Sequence, residues 1–136
     1  MLLGFKTKFS NGEPTNFKEK ILSGEKIHTI RKGERWKPGM KIHFATGVRT
    51  KQCNIFKVGE CISVQKIKIK HVVDPYAHQC KNETIYVTID DSYRPLCHDD
   101  FYALCKNDGF TKYADFVNWF KEDFEGQIVH FTNKKY

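Results

Sequence analysis

The chain lacks any long apolar run, and its hydrophobic stretches fall well short of the ~18 residues expected of a membrane-spanning helix. Lys6 and Lys8 interrupt the amino-terminal segment, so it does not have the pattern of a secretory signal. Repeats and low-complexity linkers are absent too. These absences predict a single soluble, cytoplasmic domain over residues 1–136, a length that supports one core and is too short for two.

Cysteine pairs with the spacing of metal ligands are also missing. The 5 cysteines are odd in number and scattered, without a Cys-x-x-Cys motif, which fits a reducing compartment better than a disulfide framework. His78 and Cys80, or Cys97 and His98, are close in sequence, but a zinc site needs four ligands in recognisable pairs. The sequence therefore predicts neither a metal site nor a cofactor.

Acidic residues are scarce in the first half of the chain. Residues 1–72 carry 16 Lys and Arg against 5 Asp and Glu, whereas residues 73–136 carry 7 against 11. The formal charge of +7 thus divides into a basic half and a mildly acidic half. This asymmetry favours a polyanionic or phosphate-bearing partner and predicts salt-sensitive binding.

Short strands with short connections dominate the middle of the chain. The predicted strands are 27–31, 41–45, 54–58, 61–70, 84–89 and 127–132, with a polar connection at 74–82. The predicted helices are 16–23, capped by Asn16 and ended by Gly24, then 99–106, and a third capped by Thr111. This order predicts an α+β domain built on a small, twisted or closed barrel.

Two basic segments stand out. Lys32, Arg35, Lys37 and Lys41 surround Trp36. An exposed aromatic ring among cations can stack a base while the cations hold phosphates, which makes Trp36 and Arg35 candidates for substrate binding. The alternative is a Trp36 that plugs one end of the barrel. Further on, lysines alternate with Ile67 and Ile69, which predicts a strand with one basic face and one apolar face.

The octapeptide 24–31, Gly-Glu-Lys-Ile-His-Thr-Ile-Arg, carries the clearest functional signal. Thr29 and Arg31 are two apart on one face of a strand, and Lys26 precedes that strand in a turn. A threonine hydroxyl becomes a nucleophile when a base takes its proton, and a lysine is that base when burial or a nearby cation lowers its pKa to ~7 to 8. Arg31 is such a cation and can also hold an oxyanion or phosphate. The alternative is that Lys26 and Arg31 are solvated surface charges, and His28 is interpreted as structural.

This segment resembles the opening of ASCH domains, members of the PUA-like β-barrel superfamily. The matching residues are Ile21, Leu22, Gly24, Lys26, Thr29, Ile30 and Arg31, followed by Trp36-Lys37-Pro38-Gly39-Met40-Lys41-Ile42. In particular it is similar to the small bacterial N(4)-acetylcytidine amidohydrolases, where an I-L-x-G-x-K-x-x-T-I-R stretch carries the catalytic lysine and threonine. The resemblance implies a small PUA-like barrel and catalytic roles for Lys26 and Thr29.

Asp108 continues the resemblance, since the family has a carboxylate ahead of an amphipathic helix and a closing strand. The amidohydrolases have a glutamate there, which is the one departure in the implied catalytic set. Taken alone, an aspartate before Gly109 is as typical of a local turn or cap hydrogen bond. The catalytic interpretation requires Asp108 to share one cleft with Lys26, Thr29 and Arg31.

Three functions follow. In an amidohydrolase acting on a modified cytidine, Lys26 is the general base, Thr29 attacks the acetyl carbonyl, Asp108 returns a proton to the leaving amine and Arg31 steadies the oxyanion. The ASCH resemblance also implies a noncatalytic RNA-binding module or a ribonuclease. The charge asymmetry favours RNA, whereas the spacing of Lys26 and Thr29 favours the hydrolase. The sequence leaves the choice between nucleoside and RNA open.

Overall fold

The computed structural model describes residues 1–73 and 83–136, and the predicted connection 74–82 lies outside them. The elements in chain order are β1 (Leu2–Phe5), α1 (Phe17–Ser23), β2 (His28–Lys32), β3 (Lys41–Thr46), β4 (Asn54–Glu60), β5 (Ser63–Val73), β6 (Glu83–Ile89), α2 (His98–Asn107), α3 (Tyr113–Trp119) and β7 (Phe124–His130). The α+β class, the short first helix and the two helices near the carboxyl end are confirmed. Within the described ranges, no helix combines the length and the apolar character that crossing a membrane requires.

The strands form two sheets rather than a closed barrel. One has the order β1-β3-β4, with β1 parallel to β3, and the other is antiparallel with the order β2-β7-β5-β6. Both β1 and β2 are therefore edge strands, and no ladder joins them in the described part of the chain. Between β1 and β2 the Arg31 guanidinium donates to the Gly4 carbonyl, at 2.6 Å. The closed barrel is a wrong prediction for the described residues, because no backbone ladder joins one sheet to the other.

The alternation predicted for β5 is confirmed. Ile67 and Ile69 are buried in the core, while Lys66, Lys68 and Lys70 are exposed. The core lies between this sheet, the smaller sheet and the helices, and aromatic rings fill much of it. Phe17 of α1 contacts Phe110 and Trp119 edge to face, with ring centroids 5.6 and 5.5 Å apart. These contacts fix α1 against the segment that joins α2 to α3.

The ends of α1 determine how Lys26 enters the fold. Gly24 ends the helix in the left-handed region at φ 85°, as predicted, and the Lys26 amide donates to the Lys20 carbonyl at 3.0 Å. The predicted Asn16 cap is wrong, because no side-chain bond forms there. Thr111 is not the cap of α3 either, since that helix starts after Lys112. The turn at Gly24 brings the lysine side chain inward rather than into solvent.

Candidate functional site

Lys26 is buried despite its charge, with 3% of its surface exposed. Its Nζ donates to the backbone oxygen of Asp108 at 2.5 Å and to Asp108 Oδ1 at 3.1 Å. The amine also lies 4.7 Å from the centroid of the Phe17 ring. The interpretation of Lys26 as a solvated surface charge is therefore wrong.

Asp108 reaches Lys26 because the end of α2 is tied to the segment before β2. The Ile27 amide donates to the Asn107 carbonyl at 2.9 Å, and Lys20 Nζ donates to the Gly109 carbonyl at 2.6 Å. Gly109 has a φ of 93°, and a Cβ there would lie 3.2 Å from Lys26 Cδ. A glycine at this position permits both the backbone turn and the close approach of the lysine.

Thr29 and Arg31 face the same space from β2. Thr29 is 5% exposed, and within the described residues no hydrogen bond engages its hydroxyl. Arg31 stacks over the Phe5 ring at 5.1 Å, and its Nη2 is held by the Gly4 carbonyl. Its Nε is buried without a hydrogen-bond partner in the part of the chain that the structure describes. The site thus presents one unengaged hydroxyl and one unengaged charged donor.

Lys26, Thr29, Arg31 and Asp108 line a single cavity of about 90 Å³, which confirms that they share one cleft. Within the described residues the lysine amine makes no hydrogen bond to the Thr29 hydroxyl, since both of its acceptors are atoms of Asp108. Its remaining walls are mainly apolar, from Phe5, Phe17, Ile30, Phe110 and Trp119. A small acyl or amide group fits this space.

Burial sets the protonation chemistry of the lysine. Desolvation lowers the pKa of Lys26; the Asp108 carboxyl opposes this effect, while Arg31 and Lys20 add to it. A neutral amine has two N–H donors and one lone pair, and Asp108 accepts both donors. In its neutral form Lys26 therefore keeps its lone pair free to take a proton.

Behind Asp108 lies a buried chain of hydrogen bonds that the sequence did not indicate. His28 Nδ1 is 3.2 Å from Asp108 Oδ1, and His28 Nε2 is 2.7 Å from the Tyr136 hydroxyl. Asn107 Nδ2 donates to that hydroxyl at 2.9 Å. Burial lowers the pKa of His28 and raises that of Tyr136 to about 12, so both are neutral near pH 7.

The donors in this chain point one way. A carboxylate can only accept, so a neutral His28 donates to Asp108 through Nδ1 and accepts at Nε2 from the Tyr136 phenol, whose oxygen accepts in turn from Asn107 Nδ2. His28 is structural in the sense predicted, but it supports the site directly. No local pattern links position 28 with positions 107 or 136, because the three come together only in the folded chain.

The two other predicted substrate contacts lie outside this cavity. Trp36 is 2% exposed, and the Gln127 side chain bonds both its amide and its carbonyl at 3.0 Å. The prediction that Trp36 is exposed and stacks a base is therefore wrong, and the alternative, that Trp36 is buried, is confirmed. Arg35 is exposed, with its guanidinium carbon 5.9 Å from the Trp36 ring. Trp119, half-buried on the wall of the cavity, is the aromatic that sequence reasoning missed.

Among the described residues, no group of three or more His, Cys, Asp and Glu side chains is placed to hold a metal ion. His78 and Cys80, the neighbours in sequence that did not meet the requirements of a zinc site, lie outside the described residues. A scan of protein-family models finds no match to the chain. Searches of curated proteins and of solved structures find none either.

Proposed function

We propose that this protein is an amidohydrolase that removes the acetyl group from N(4)-acetylcytidine or a related modified cytidine. The observation that carries the proposal is the buried Lys26, whose lone pair is free in its neutral form, in one small cavity with the unengaged Thr29 hydroxyl. The resemblance of residues 21–31 to ASCH amidohydrolases supports the same assignment. The proposal includes the fold, with the two separate sheets as an open form of the PUA-like barrel.

Each step of the reaction has a group in this cavity. Thr29 Oγ1 forms a bond to the acetyl carbonyl carbon while Lys26 Nζ takes the hydroxyl proton. The carbonyl oxygen becomes an oxyanion, and Arg31 Nε, the donor without a partner, stabilises it. The proton then passes from Lys26 to Asp108 Oδ1, 3.1 Å away, and on to the leaving amine as the C–N bond breaks.

The second half regenerates the enzyme. Cytidine leaves with that proton, and the acetyl group remains as an ester on Thr29. Lys26, neutral again, takes a proton from a water whose oxygen attacks the ester carbonyl. Arg31 stabilises the second oxyanion, the ester bond breaks, and the proton returns to Thr29 Oγ1 as acetic acid departs and gives its remaining acidic proton to the solvent. His28 takes no proton in this scheme, because its hydrogen bonds position the Asp108 carboxyl.

The test is to incubate the purified protein with N(4)-acetylcytidine and to follow cytidine and acetate by chromatography. We expect turnover by the wild type and a loss of at least ~100-fold in Thr29→Ala, whereas Thr29→Ser, which keeps a hydroxyl, retains part of the activity. Lys26→Ala should be as damaging as Thr29→Ala, and the double variant scarcely worse, because residues that act as one unit are not additive. Absence of cytidine from the wild-type reaction would contradict the proposal.

Labelled single-stranded RNA in a parallel reaction separates the other two functions. Cleavage products would identify a ribonuclease, and retention without cleavage or deacetylation would identify a binding module. The proposal extends to a reducing compartment such as the cytoplasm, which is supported by the exposed, free thiols of Cys53 and Cys97.

A further inference from the structure

A strongly cationic groove of about 780 Å³ lies beside the catalytic cavity. Its lining includes six basic residues, namely Lys6, Lys8, Arg31, Lys32, Arg35 and Arg49, and no Asp or Glu. None of the six forms an ion pair within the described ranges, whereas Lys66 and Lys68 on β5 both pair with Asp91 at 3.3 Å. Arg31 still interacts electrostatically with Asp108, and Lys6, Lys8 and Lys32 also border a cavity that contains Asp115, Glu122 and Asp123. The groove itself is lined by cations without a carboxylate among them.

The groove and the cavity share a wall. Gly4, Phe5, Lys6 and Arg31 line both spaces, so this part of β1 and β2 borders the proposed reaction site as well as the cations of the groove. The cavity of about 90 Å³ admits the acetylated amine end of a substrate. The shared wall brings the rest of such a substrate close to the groove.

The groove suits a substrate larger and more charged than a nucleoside. A free nucleoside has no anionic group to balance six unpaired cations, and one phosphate would engage only a few of them. A chain of phosphates satisfies both the length and the charge of the groove.

We infer that the substrate is single-stranded RNA, with the modified cytidine directed into the cavity and its flanking phosphodiesters bound along the groove. This inference rests on the proposed deacetylation and adds its substrate class. Arg31 joins the two spaces, since its Nη2 is fixed to Gly4 and its Nε is unengaged, whereas Arg35 and Arg49 are exposed groove residues that contact phosphate.

The first experiment compares three substrates by kcat/KM: N(4)-acetylcytidine, its 5′-monophosphate, and a nine-residue oligoribonucleotide with one central N(4)-acetylcytidine. We expect the oligonucleotide to exceed the nucleoside by at least tenfold at low salt, with the monophosphate between them. An equal or higher value for the nucleoside would overturn the inference. A monophosphate as good as the oligonucleotide would overturn it in favour of a single-phosphate site.

The second experiment measures binding without chemistry, using a fluorescent oligoribonucleotide that has no acetyl group. For four phosphate contacts, raising salt from ~50 to ~200 mM should weaken binding by about 50-fold. The double variant Arg35→Gln/Arg49→Gln removes two contacts, so the loss should fall to about 7-fold. The matched control, Lys70→Gln/Lys112→Gln, removes two exposed charges outside the groove and should behave as the wild type does.

The outcomes distinguish a failure of the RNA-binding groove from a failure of the proposed amidohydrolase activity. Equal salt dependence in the groove variant and the wild type, or no binding at ~50 mM salt, would overturn the groove assignment even if the nucleoside is deacetylated. Groove-dependent binding with no deacetylation of any substrate would contradict the amidohydrolase function and leave an RNA-binding protein.

Discussion

At the scale of single residues, the contact between Lys26 and Asp108 controls the proposed reaction. Burial lowers the pKa of the lysine, and the Asp108 carboxyl raises it again. We expect kcat/KM to rise with pH through a pKa below 10.5, as Lys26 loses its proton. Asp108→Asn removes the carboxylate that raises the pKa of Lys26, so the rise of kcat/KM should move to lower pH. The maximal rate should fall, because the leaving amine of the substrate loses its proton donor.

The control for this profile is Asp91→Asn. Asp91 is an exposed carboxylate paired with Lys66 and Lys68. Its loss should change neither the pH at which kcat/KM rises nor the maximal rate. If kcat/KM rises at the same pH in Asp108→Asn as in the wild type, a group other than Lys26 controls the pH dependence.

A second residue-scale prediction concerns the buried chain behind Asp108. Tyr136→Phe removes the hydroxyl that bonds His28 Nε2 and Asn107 Nδ2, and both groups lose a partner. We expect the free energy of unfolding to fall by about 1 to 2 kcal/mol in urea titrations. Tyr102→Phe is the matched control, since Tyr102 is 45% exposed and its hydroxyl makes no hydrogen bond within the described residues, and it should change little. Equal effects of the two variants on the free energy of unfolding would contradict the chain of hydrogen bonds through Tyr136.

At the scale of elements, two glycines with the same backbone requirement make a controlled comparison. Gly24 and Gly109 have φ values of 85° and 93°, but a Cβ at 24 meets nothing within 4 Å, whereas one at 109 meets Phe17 at 3.1 Å and Lys26 at 3.2 Å. Gly24→Ala should cost about 1 kcal/mol from backbone strain alone. Gly109→Ala should cost about 1 kcal/mol more and reduce turnover, because Lys26 must shift.

Urea unfolding and kcat, measured on both variants, check this comparison. Equal stability and activity in the two variants would show that the approach of Lys26 to the turn after α2 does not need a glycine.

The same elements show which parts of the fold a sequence can predict. The stop of α1 at Gly24 and the alternation in β5 follow from local patterns, and both are confirmed. The strand β1 was missed because Leu2–Phe5 is short, contains a glycine and pairs in parallel with a strand just over 40 residues away. Asn16 does occupy the N-cap position of α1, but its backbone is left-handed and its side chain makes no cap hydrogen bond.

The candidate site shows the same division between local patterns, which a sequence reveals, and contacts between distant segments, which it does not. Strand geometry places Thr29 and Arg31 on one face, and the turn that ends α1 at Gly24 brings Lys26 beside them. Asp108 was placed with them by resemblance, but its approach depends on bonds across the fold, from the Ile27 amide to the Asn107 carbonyl and from Lys20 Nζ to the Gly109 carbonyl. The groove was visible only as excess charge in residues 1–72, because its lining comes from three separate segments.

At the scale of the whole molecule, buried histidines should make the fold sensitive to acid. Burial lowers the pKa of His130 from 6.5 to about 4 and also lowers that of His28, whose ring lies 5.5 Å away. The unfolded chain binds protons near pH 6.5 while the folded protein resists them, so stability is full above that pH and is lost as pH falls toward 4. We expect His130 to contribute up to about 3 kcal/mol to this loss, measured by urea unfolding between pH 7 and 4.5. His98→Gln removes an exposed histidine and should preserve the slope, whereas His130→Gln should flatten it. A wild-type stability that stays constant across this range would show that neither buried ring resists protonation, and the neutral, one-directional hydrogen-bond chain that positions Asp108 would then be wrong.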